Sequence, residues 1–491
     1  MTLKKQVARG SLWALLDMGG QQLISFVVFI YIARILTPGA VGLVALAVIG
    51  IDLFGFISRF GQVEALQRDQ PPVAARLNAA FWLTLTFGLI STLGVELAAY
   101  VIKPSPEHQN LPAVIAWLAP LCLIQAVNTT PEALLRGQMD YRRMALRSWT
   151  GTLLGGAVAL IMANLHFGVF VLVGQRLVTT LTQCIGLWII AQWRPTTGFS
   201  LADVRHLLKV GSRILFSNLA GMVSPRAADA ITGTVLGVTQ LGFLRLGWRL
   251  YEVGLQVSVT PVSLVTLSMF SRLRDDRDAL RRAYLRMTQL VSLLSLPIFF
   301  GLGSVAHTLI PAFFGARWDG AAIVLQLLGF MMIGGTVNYF FNSAMLAINR
   351  SDIMLKQSVA QLVITALVVP VSVLFGLTGV MIGQCVRTFA ASIYNITALK
   401  AELDIGVRDI AVAIMPPVVS SGVMWLVVMS VQGWLNTHPF GVLAIPYLEL
   451  FALVSVGALA YLASLLAGAA LGLWPRYIKD LINSLRGILE R

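Results

Sequence analysis

Residues 9–20 read RGSLWALLDMGG, and a related stretch, VGSRILFSNLAG, follows at 210–221. A second pair of matching stretches is VLVGQRLVTT at 171–180 and VMIGQCVRTF at 380–389. Apolar segments align by chance, but glycines and polar residues that recur in the same order are more specific. With a one-residue gap, the alignment pairs these positions: Gly10 with Gly211, Ser11 with Ser212, Gly20 with Gly221, Gly42 with Gly242, and Asp52 with Glu252. The sequence therefore predicts two homologous halves.

The composition is that of a membrane protein. Of the 491 residues, 57% are hydrophobic and 12% are charged, and the mean hydropathy is +0.80. Soluble domains carry about 25% charged residues. The net charge of +14 would suggest a nucleic-acid partner in a soluble protein, but the sequence has no basic patch interleaved with aromatic residues. We therefore expect membrane lipids around the chain and no nucleic-acid partner.

The hydropathy pattern predicts about fourteen transmembrane helices, since a helix needs about 20 apolar residues to cross a bilayer. The basic N-terminus leads into an apolar run that is longer than that of a signal peptide, so we interpret it as a retained first span. The predicted spans are 12–32, 41–62, 78–101, 112–130, 147–165, 167–192, 212–235, 242–268, 287–311, 320–348, 357–375, 378–399, 411–435 and 441–471.

The distribution of basic residues predicts the orientation. With the N-terminus inside, 26 of the 36 lysines and arginines lie in cytoplasmic segments, and only Arg34, Lys103 and Arg317 lie in outer loops. This is the positive-inside pattern. We expect both termini to be cytoplasmic and the repeat to be parallel, because each seven-span half then starts on the same side.

The repeat and the charge pattern divide the chain into four predicted parts. The tail has apolar residues at helical spacing opposite basic ones, which favours an amphipathic helix on the inner leaflet over a solvated helical tail. The parts are an N-terminal lobe at 1–209 (spans one to six and a linker), a second lobe at 210–401 (spans seven to twelve), spans thirteen and fourteen at 402–472, and the tail at 473–491.

Several of these segments resemble bacterial polysaccharide flippases, the Wzx-type exporters of the MOP superfamily. The resemblance rests on GSLWALLDMGGQQLISFVVFIYIARILTPGAVGLVAL at 10–46, IDLFGFISRFGQVEALQR at 51–68, PEALLRGQMDYRRMA at 131–145 and TGTVLGVTQLGFLRLGWRLYE at 232–252. It extends over essentially the whole chain. The arginine-rich LPNLLRR-type run of the lipid II flippases in the same superfamily is missing from this sequence.

The resemblance implies a V-shaped carrier of the MOP or MATE type, with two seven-helix lobes, in the bacterial inner membrane. It further implies a substrate, undecaprenyl-diphosphate-linked oligosaccharide repeat units, which the carrier passes between leaflets by alternating access. Polysaccharide polymerase and export proteins are the partners to expect. The missing LPNLLRR-type run argues against a dedicated role in peptidoglycan synthesis.

Seven arginines fall inside the predicted spans or at their ends, and each needs an explanation because a charge in the bilayer costs about 3 kcal/mol. Cations outnumber acids, and the guanidinium group binds phosphate oxygens in pairs without losing its charge. We therefore predict a cationic cavity that receives an anion. The candidate substrate-binding residues are Arg226, Arg249, Arg245, Arg59, Arg213, Arg176 and Arg387.

The charged residues within the predicted spans have two possible interpretations. Arg245, Arg249 and Glu252 share one helix face, which fits either a cavity-lining basic face or structural ion pairs between packed helices. A buried carboxylate could likewise bind a coupling ion or pair with an arginine such as Arg249 or Arg59. The candidate ion-coupling residues are Asp52, Glu252, Asp17 and Asp229.

Other functions fit the sequence less well. A multidrug or cation antiporter of the same superfamily would need an acidic cavity, and a membrane polysaccharide polymerase would need a sizeable extramembrane loop or a cluster of catalytic acids. A structural component of a polysaccharide export machine stays open as an alternative. The three cysteines and five histidines show no ligand spacing, so we expect no metal site, no cofactor and no catalytic residues.

Overall fold

The chain is almost entirely helical. The computed structural model describes residues 3–68, 73–102, 108–138, 140–438 and 446–474. Within those ranges the helices are joined by short turns, and no strand is present. The helices form two compact units, Met1–Arg245 and Leu246–Arg491.

Ten helices begin in the first unit, as far as the chain is described. Helix α1 packs on α7, which in turn packs on α8, and α2 packs on α4, α6 and α9. The last of the ten, α10, continues past Arg245 into the second unit. The helices are α1 Leu3–Ile35, α2 Pro38–Arg59, α3 Gln62–Arg68, α4 Ala74–Val101, α5 Leu111–Leu118, α6 Pro120–Gly137, α7 Tyr141–Asn164, α8 Phe170–Ala191, α9 Leu201–Val235 and α10 Val238–Ser258.

In the second unit α12 is the central element, because it packs on α14 and α18, while α14 also packs on α17. Short 3₁₀ turns at Ala316–Ala321 and Val373–Phe375 precede α14 and α17. The helices are α11 Thr260–Arg272, α12 Arg277–Ser304, α13 Ala306–Phe314, α14 Ala322–Asn338, α15 Phe341–Ala347, α16 Ser351–Ser372, α17 Gly376–Leu403, α18 Val407–Thr437 and α19 Pro446–Ala470.

The outer surfaces of the helices are apolar, as a lipid environment requires. Large aliphatic and aromatic side chains are widely exposed, including Leu93 at 67%, Ile189 at 67%, Leu367 at 67% and Phe451 at 71%. Such a surface would drive association in water but matches the hydrocarbon of a bilayer. Among the described residues, eleven segments are long and apolar enough to cross a membrane. The predicted all-α, multi-pass membrane fold is confirmed.

The predicted count of fourteen spans stays a prediction. One of the eleven segments, Ser351–Leu403, contains both α16 and α17. Helix α10 is 21 residues long, yet it is not among the eleven. It carries Arg245, Arg249 and Glu252, and these charged residues lower its hydropathy. Several side chains of α9 lie outside the described part of the chain, so its predicted span stays a prediction. The four predicted parts of the chain also stay predictions, and residues 475–491 of the predicted tail lie outside the described part of the chain.

Two glycines paired by the sequence repeat touch each other where α2 and α10 cross. A Cβ atom at Gly42 would lie 2.8 Å from the backbone nitrogen of Gly242 and would overlap the carbonyl of Val238. A Cβ at Gly242 would overlap the carbonyl of Pro38. The two backbones are therefore in direct contact, and only glycine leaves room for this crossing.

We predict that Gly42→Ala strongly lowers the yield of folded protein. The added methyl group meets backbone atoms that cannot move aside, which should cost about 3 kcal/mol. Gly50→Ala is the matched control, because it lies on the same helix and a Cβ there has nothing within 4 Å. Thermal midpoints in detergent should fall for Gly42→Ala and stay unchanged for Gly50→Ala. Equal thermal midpoints for the two variants would contradict the direct backbone contact between α2 and α10 at Gly42.

Candidate substrate site

Asp52 is shared by two arginines inside the first unit. Its Oδ1 accepts a 2.5 Å hydrogen bond from Arg176 Nη2 on α8, and its Oδ2 lies 2.7 Å from Arg226 Nη2 on α9. The Asp52 side chain is 14% exposed, whereas the two arginines are 38% and 31% exposed. We call these three residues the Asp52 cluster. With all three groups charged, the cluster carries a net charge of +1.

Local sequence signals position the helices of this cluster. Thr37 caps the start of α2, and Ser200 and Asp203 form a capping box at the start of α9. The hydrogen bonds from Ser200 lower the pKa of Asp203, so this cap is kept as long as the pH stays above that lowered value. Pro225 removes one backbone hydrogen bond next to Arg226, which favours a bend in α9 at the cluster.

One turn further along α9, Asp229 pairs with a different arginine. Arg245 Nη2 on α10 lies 2.9 Å from Asp229 Oδ2, and the two side chains are 24% and 9% exposed. The Nε of Arg245 is buried and has no hydrogen-bond acceptor among the described residues. This 1:1 pair is neutral, so it adds no net charge to the positive Asp52 cluster beside it.

Arg249 and Glu252 form an ion pair within α10, in the second unit. The distance from Arg249 Nη1 to Glu252 Oε2 is 3.5 Å, and Glu252 is 59% exposed while Arg249 is 22% exposed. An accessible pair with a long contact contributes little to stability. Glu252 therefore holds Arg249 only weakly.

Among the described residues, Arg387 on α17 contacts a polar side chain but no acid. Its Nε donates a 2.9 Å hydrogen bond to Gln384 Oε1. Tyr251 and Tyr339 share a 2.8 Å hydrogen bond between their hydroxyl groups. Among the residues that the structure describes, no carboxylate lies within 4 Å of the Arg387 guanidinium.

Glu132, which was not among the predicted site residues, repeats the arrangement at Asp52. Arg59 and Arg136 each approach a different Glu132 oxygen at 2.5 Å, and Glu132 is 15% exposed. Glu132 and Arg136 are four residues apart on one helix, and this spacing is the feature of the sequence that predicts their ion pair. Arg59 comes from α2, and nothing in the local sequence indicates that contact.

The remaining candidates are less connected. Asp17 accepts a 2.8 Å hydrogen bond from Gln21 and interacts electrostatically with Arg147. The side chain of Arg213 lies outside the part of the chain that the structure describes. Within that part, no group of three or more His, Cys, Asp or Glu residues could hold a metal ion.

The chemistry of the site is therefore cationic. Asp52 and Glu132 each accept from two arginines, so both clusters carry a net positive charge. Of the two arginines that the sequence offered as partners for Asp52 or Glu252, Arg249 pairs with Glu252, whereas Arg59 pairs with Glu132. The partners of Asp52 are instead Arg176 and Arg226. Guanidinium groups that keep exposed N–H donors are suited to phosphate oxygens.

Comparison with known proteins identifies the family. A family described as "polysaccharide biosynthesis protein" matches residues 31–323, which is more than half of the chain. The chain belongs to this family. The predicted membership of the polysaccharide flippase group is thereby confirmed, and the family member is a transporter rather than an enzyme.

Three curated proteins are similar to this polysaccharide biosynthesis family member. The succinoglycan biosynthesis transport protein ExoT of Rhizobium meliloti is 28% identical over 66% of each chain. The lipopolysaccharide biosynthesis protein WzxC of Escherichia coli is 23% identical over 80% of each chain. The teichuronic acid biosynthesis protein TuaB of Bacillus subtilis is 22% identical over 59% of this chain and 60% of its own length.

Solved structures show the same fold in other transporters. The lipid II flippase MurJ in an inward closed conformation matches with a TM-score of 0.73 at 13% identity, over 96% of this chain and 99% of MurJ. An inward-facing MATE multidrug transporter of the MOP superfamily matches with a TM-score of 0.50 at 17% identity, over 80% of this chain and 94% of its own. At these identities the likeness concerns the fold alone.

Proposed function

We propose that this transporter flips polyprenyl-diphosphate-linked oligosaccharide repeat units across the bacterial inner membrane by alternating access. The observation that carries the proposal is the Asp52 cluster, where two arginines share one carboxylate inside membrane helices. A net positive charge held in the membrane requires a compensating anion. A diphosphate supplies that anion, and membership of a polysaccharide biosynthesis family supports a glycan attached to it.

Arg226 and Arg249 are the proposed diphosphate ligands. Each side chain is partly exposed: Arg226 shares its acid, Asp52, with Arg176, and Arg249 lies 3.5 Å from the exposed carboxylate of Glu252. Arg176 holds Asp52 in place when Arg226 turns toward substrate. Arg245, Arg59 and Arg213 remain candidates for further contacts.

An ion-coupling role remains a proposal for four acids. Asp52 is occupied on both oxygens, and Asp229 and Asp17 have partners on their own or neighbouring helices. Glu252 is the most exposed of these acids and is held only by a 3.5 Å contact. We therefore favour Glu252 as the group that exchanges a proton or a sodium ion during transport.

Deletion of the gene tests the proposed function. The deletion strain should lose a surface or secreted polysaccharide and accumulate lipid-linked repeat units on the inner leaflet, because synthesis continues without export. Mass spectrometry of the lipid fraction and glycan analysis of the cell surface would measure both. The wild-type gene should restore both readouts. Normal polysaccharide in a deletion strain without a paralogue would refute the proposal.

The proposed orientation has both termini in the cytoplasm, with export partners such as a polymerase acting on the opposite side. Reporter fusions at Arg491 and within the 102–111 loop should give opposite signals, because positive charge concentrates on the cytoplasmic side. Identical signals at the two sites would mean that the number of spans between them differs from the fourteen-span pattern.

A further inference from the structure

A cavity of about 560 Å³ lies at one end of the first unit, beside the turns that join α1 to α2 and α9 to α10. The described part of its lining also includes the residues that precede α5 and α8. Pockets for small ligands typically measure about 300–1,000 Å³, so the cavity has a suitable size. Asp52, Arg176 and Arg226 do not line it, which makes it separate from the Asp52 cluster.

Close contacts hold the walls of this cavity in place. Val238 lines the cavity, and a Cβ atom at Gly42 would overlap the Val238 carbonyl. Gly39 lines the cavity as well, and a Cβ atom there would lie 3.2 Å from the hydroxyl oxygen of Thr239. The two turns therefore touch each other on one side of the cavity. Walls that are formed before a ligand arrives reduce the entropic cost of binding.

The described lining combines apolar and uncharged polar groups. Of the eleven described residues that form it, seven are glycine or aliphatic, and four carry polar side chains: Thr37, Asn110, Thr239 and Gln240. Hydroxyl and amide groups both donate and accept hydrogen bonds. Asn110 precedes α5, but its side chain does not cap that helix, so its amide group is available to a ligand.

Such a lining favours one class of ligand. A charged ligand would find no opposite charge on the described walls, and an enclosed charge without a partner is costly. A wholly apolar ligand would displace water from the polar side chains without replacing its hydrogen bonds. A sugar avoids both costs, because its hydroxyl groups donate and accept while the carbon–hydrogen faces of its ring are apolar. The described lining therefore suits an uncharged carbohydrate.

The cavity lies on two helices that also carry the Asp52 cluster. On α2, the lining residue Leu43 precedes Asp52 by nine residues, which is about 14 Å along a helix. At the end of α9, the lining residue Leu236 follows Arg226 by ten residues, or about 15 Å. In a lipid-linked oligosaccharide the sugars are attached directly to the diphosphate. A glycan of a few sugars is long enough to reach from the Asp52 cluster to the cavity.

We propose that this cavity is a glycan subsite, which holds uncharged sugars of the repeat unit while the diphosphate lies near the Asp52 cluster. The inference rests on the proposed function, because it takes the lipid-linked oligosaccharide as the substrate. In the proposed orientation the α1–α2 turn lies on the outer side of the membrane, so the subsite receives the glycan after it has crossed.

The two proposals fail separately. The binding test for the subsite uses a glycan without lipid or diphosphate, so absence of binding would leave the flipping proposal standing. Normal polysaccharide in the deletion strain would refute flipping, and it would not change the measured binding of the free glycan.

Calorimetry on the full-length protein in nanodiscs tests the subsite. The probe is the oligosaccharide repeat unit prepared by hydrolysis of the polysaccharide that the host secretes, so that no lipid or phosphate is attached. We expect saturable binding by the wild type. Asn110→Leu and Gln240→Leu should each weaken binding about three- to tenfold, because hydrogen bonds to the sugar are lost. The double variant should weaken it at least about tenfold.

Thr239→Val and Thr234→Val form a matched pair of variants. Each removes one hydroxyl near the α9–α10 turn, but only Thr239 lines the cavity, whereas the Thr234 hydroxyl donates to the carbonyl of Ala230. Thr239→Val should weaken binding about threefold, and Thr234→Val should leave it unchanged. All four side chains are exposed or half-buried, so the variants should keep the thermal midpoint of the wild type. The proposal is overturned if the wild type does not bind the repeat unit, or if the Asn110→Leu, Gln240→Leu double variant binds it as tightly.

Discussion

Asp52→Ala should remove most of the folded protein from the membrane. The substitution leaves Arg176 and Arg226 close together without the carboxylate that they share. Removing one partner of a buried ion pair costs about 3–5 kcal/mol. We expect about 3 kcal/mol here, the lower end of that range, because both arginines are about one third exposed. Quantitative immunoblots of membranes and thermal midpoints in detergent would measure the loss.

A second substitution should reverse this loss. Asp52→Ala combined with Arg176→Ala restores the net charge of +1 that the wild-type cluster carries, so abundance should recover. Glu252→Ala is the matched control at the repeat-equivalent position, where the acid is exposed and the contact is weak, and its abundance should stay near that of the wild type. Normal abundance of Asp52→Ala alone would show that the cluster does not stabilise the fold.

Arg226→Ala should abolish export while leaving the protein in the membrane. Asp52 keeps its 2.5 Å partner Arg176, so the substitution leaves no acid unpaired. Loss of a charge-assisted contact to a desolvated phosphate costs about 2–5 kcal/mol, or at least about thirtyfold in affinity. Lys at this position should restore export only in part, because an ammonium group lacks the planar fork. Exported polysaccharide would be measured relative to membrane abundance.

The result that contradicts this prediction is full export by Arg226→Ala at normal abundance. Loss of export together with loss of the protein would also contradict it, since that outcome assigns Arg226 to stability.

For Arg249, a double-mutant cycle with Glu252 distinguishes substrate binding from a structural role. If Arg249 binds substrate, Arg249→Ala should lose export at normal abundance, and adding Glu252→Ala should not rescue it. If the arginine only neutralises Glu252, the single variant should lose abundance and the double variant should recover both readouts. The 3.5 Å separation and the exposure of Glu252 favour the first outcome. Recovery of export in the double variant would remove Arg249 from the binding site.

Much of the fold could be predicted from the sequence because its signals are local. Runs of about 20 apolar residues indicate membrane helices, and eleven segments of the described chain are helical, long and apolar enough to cross a membrane. The glycines that recur in the repeat also have a structural meaning, since Gly42 and Gly242 meet at a backbone crossing. Helix α10 escapes the hydropathy criterion because it carries Arg245, Arg249 and Glu252, which are among the residues proposed for the site.

The pairing of the charges could not be predicted in the same way. Asp52 lies 124 positions from Arg176, and Glu132 lies 73 from Arg59, so no periodicity connects the partners. Helix geometry places Arg245, Arg249 and Glu252 on one face, but it does not reveal that Arg245 turns to Asp229. The hydroxyl pair of Tyr251 and Tyr339 was missed because a tyrosine in an apolar segment usually serves as packing.

The most direct measurement of the central claim is transport by the purified protein. Proteoliposomes would be loaded with a polyprenyl-diphosphate-linked oligosaccharide, and a membrane-impermeant glycosidase would report how much of it reaches the outer leaflet. We predict fast exposure of the glycan with the wild type and with Gly50→Ala, and exposure no faster than in empty liposomes with Arg226→Ala. Wild-type protein that moves the lipid no faster than empty liposomes would contradict the account.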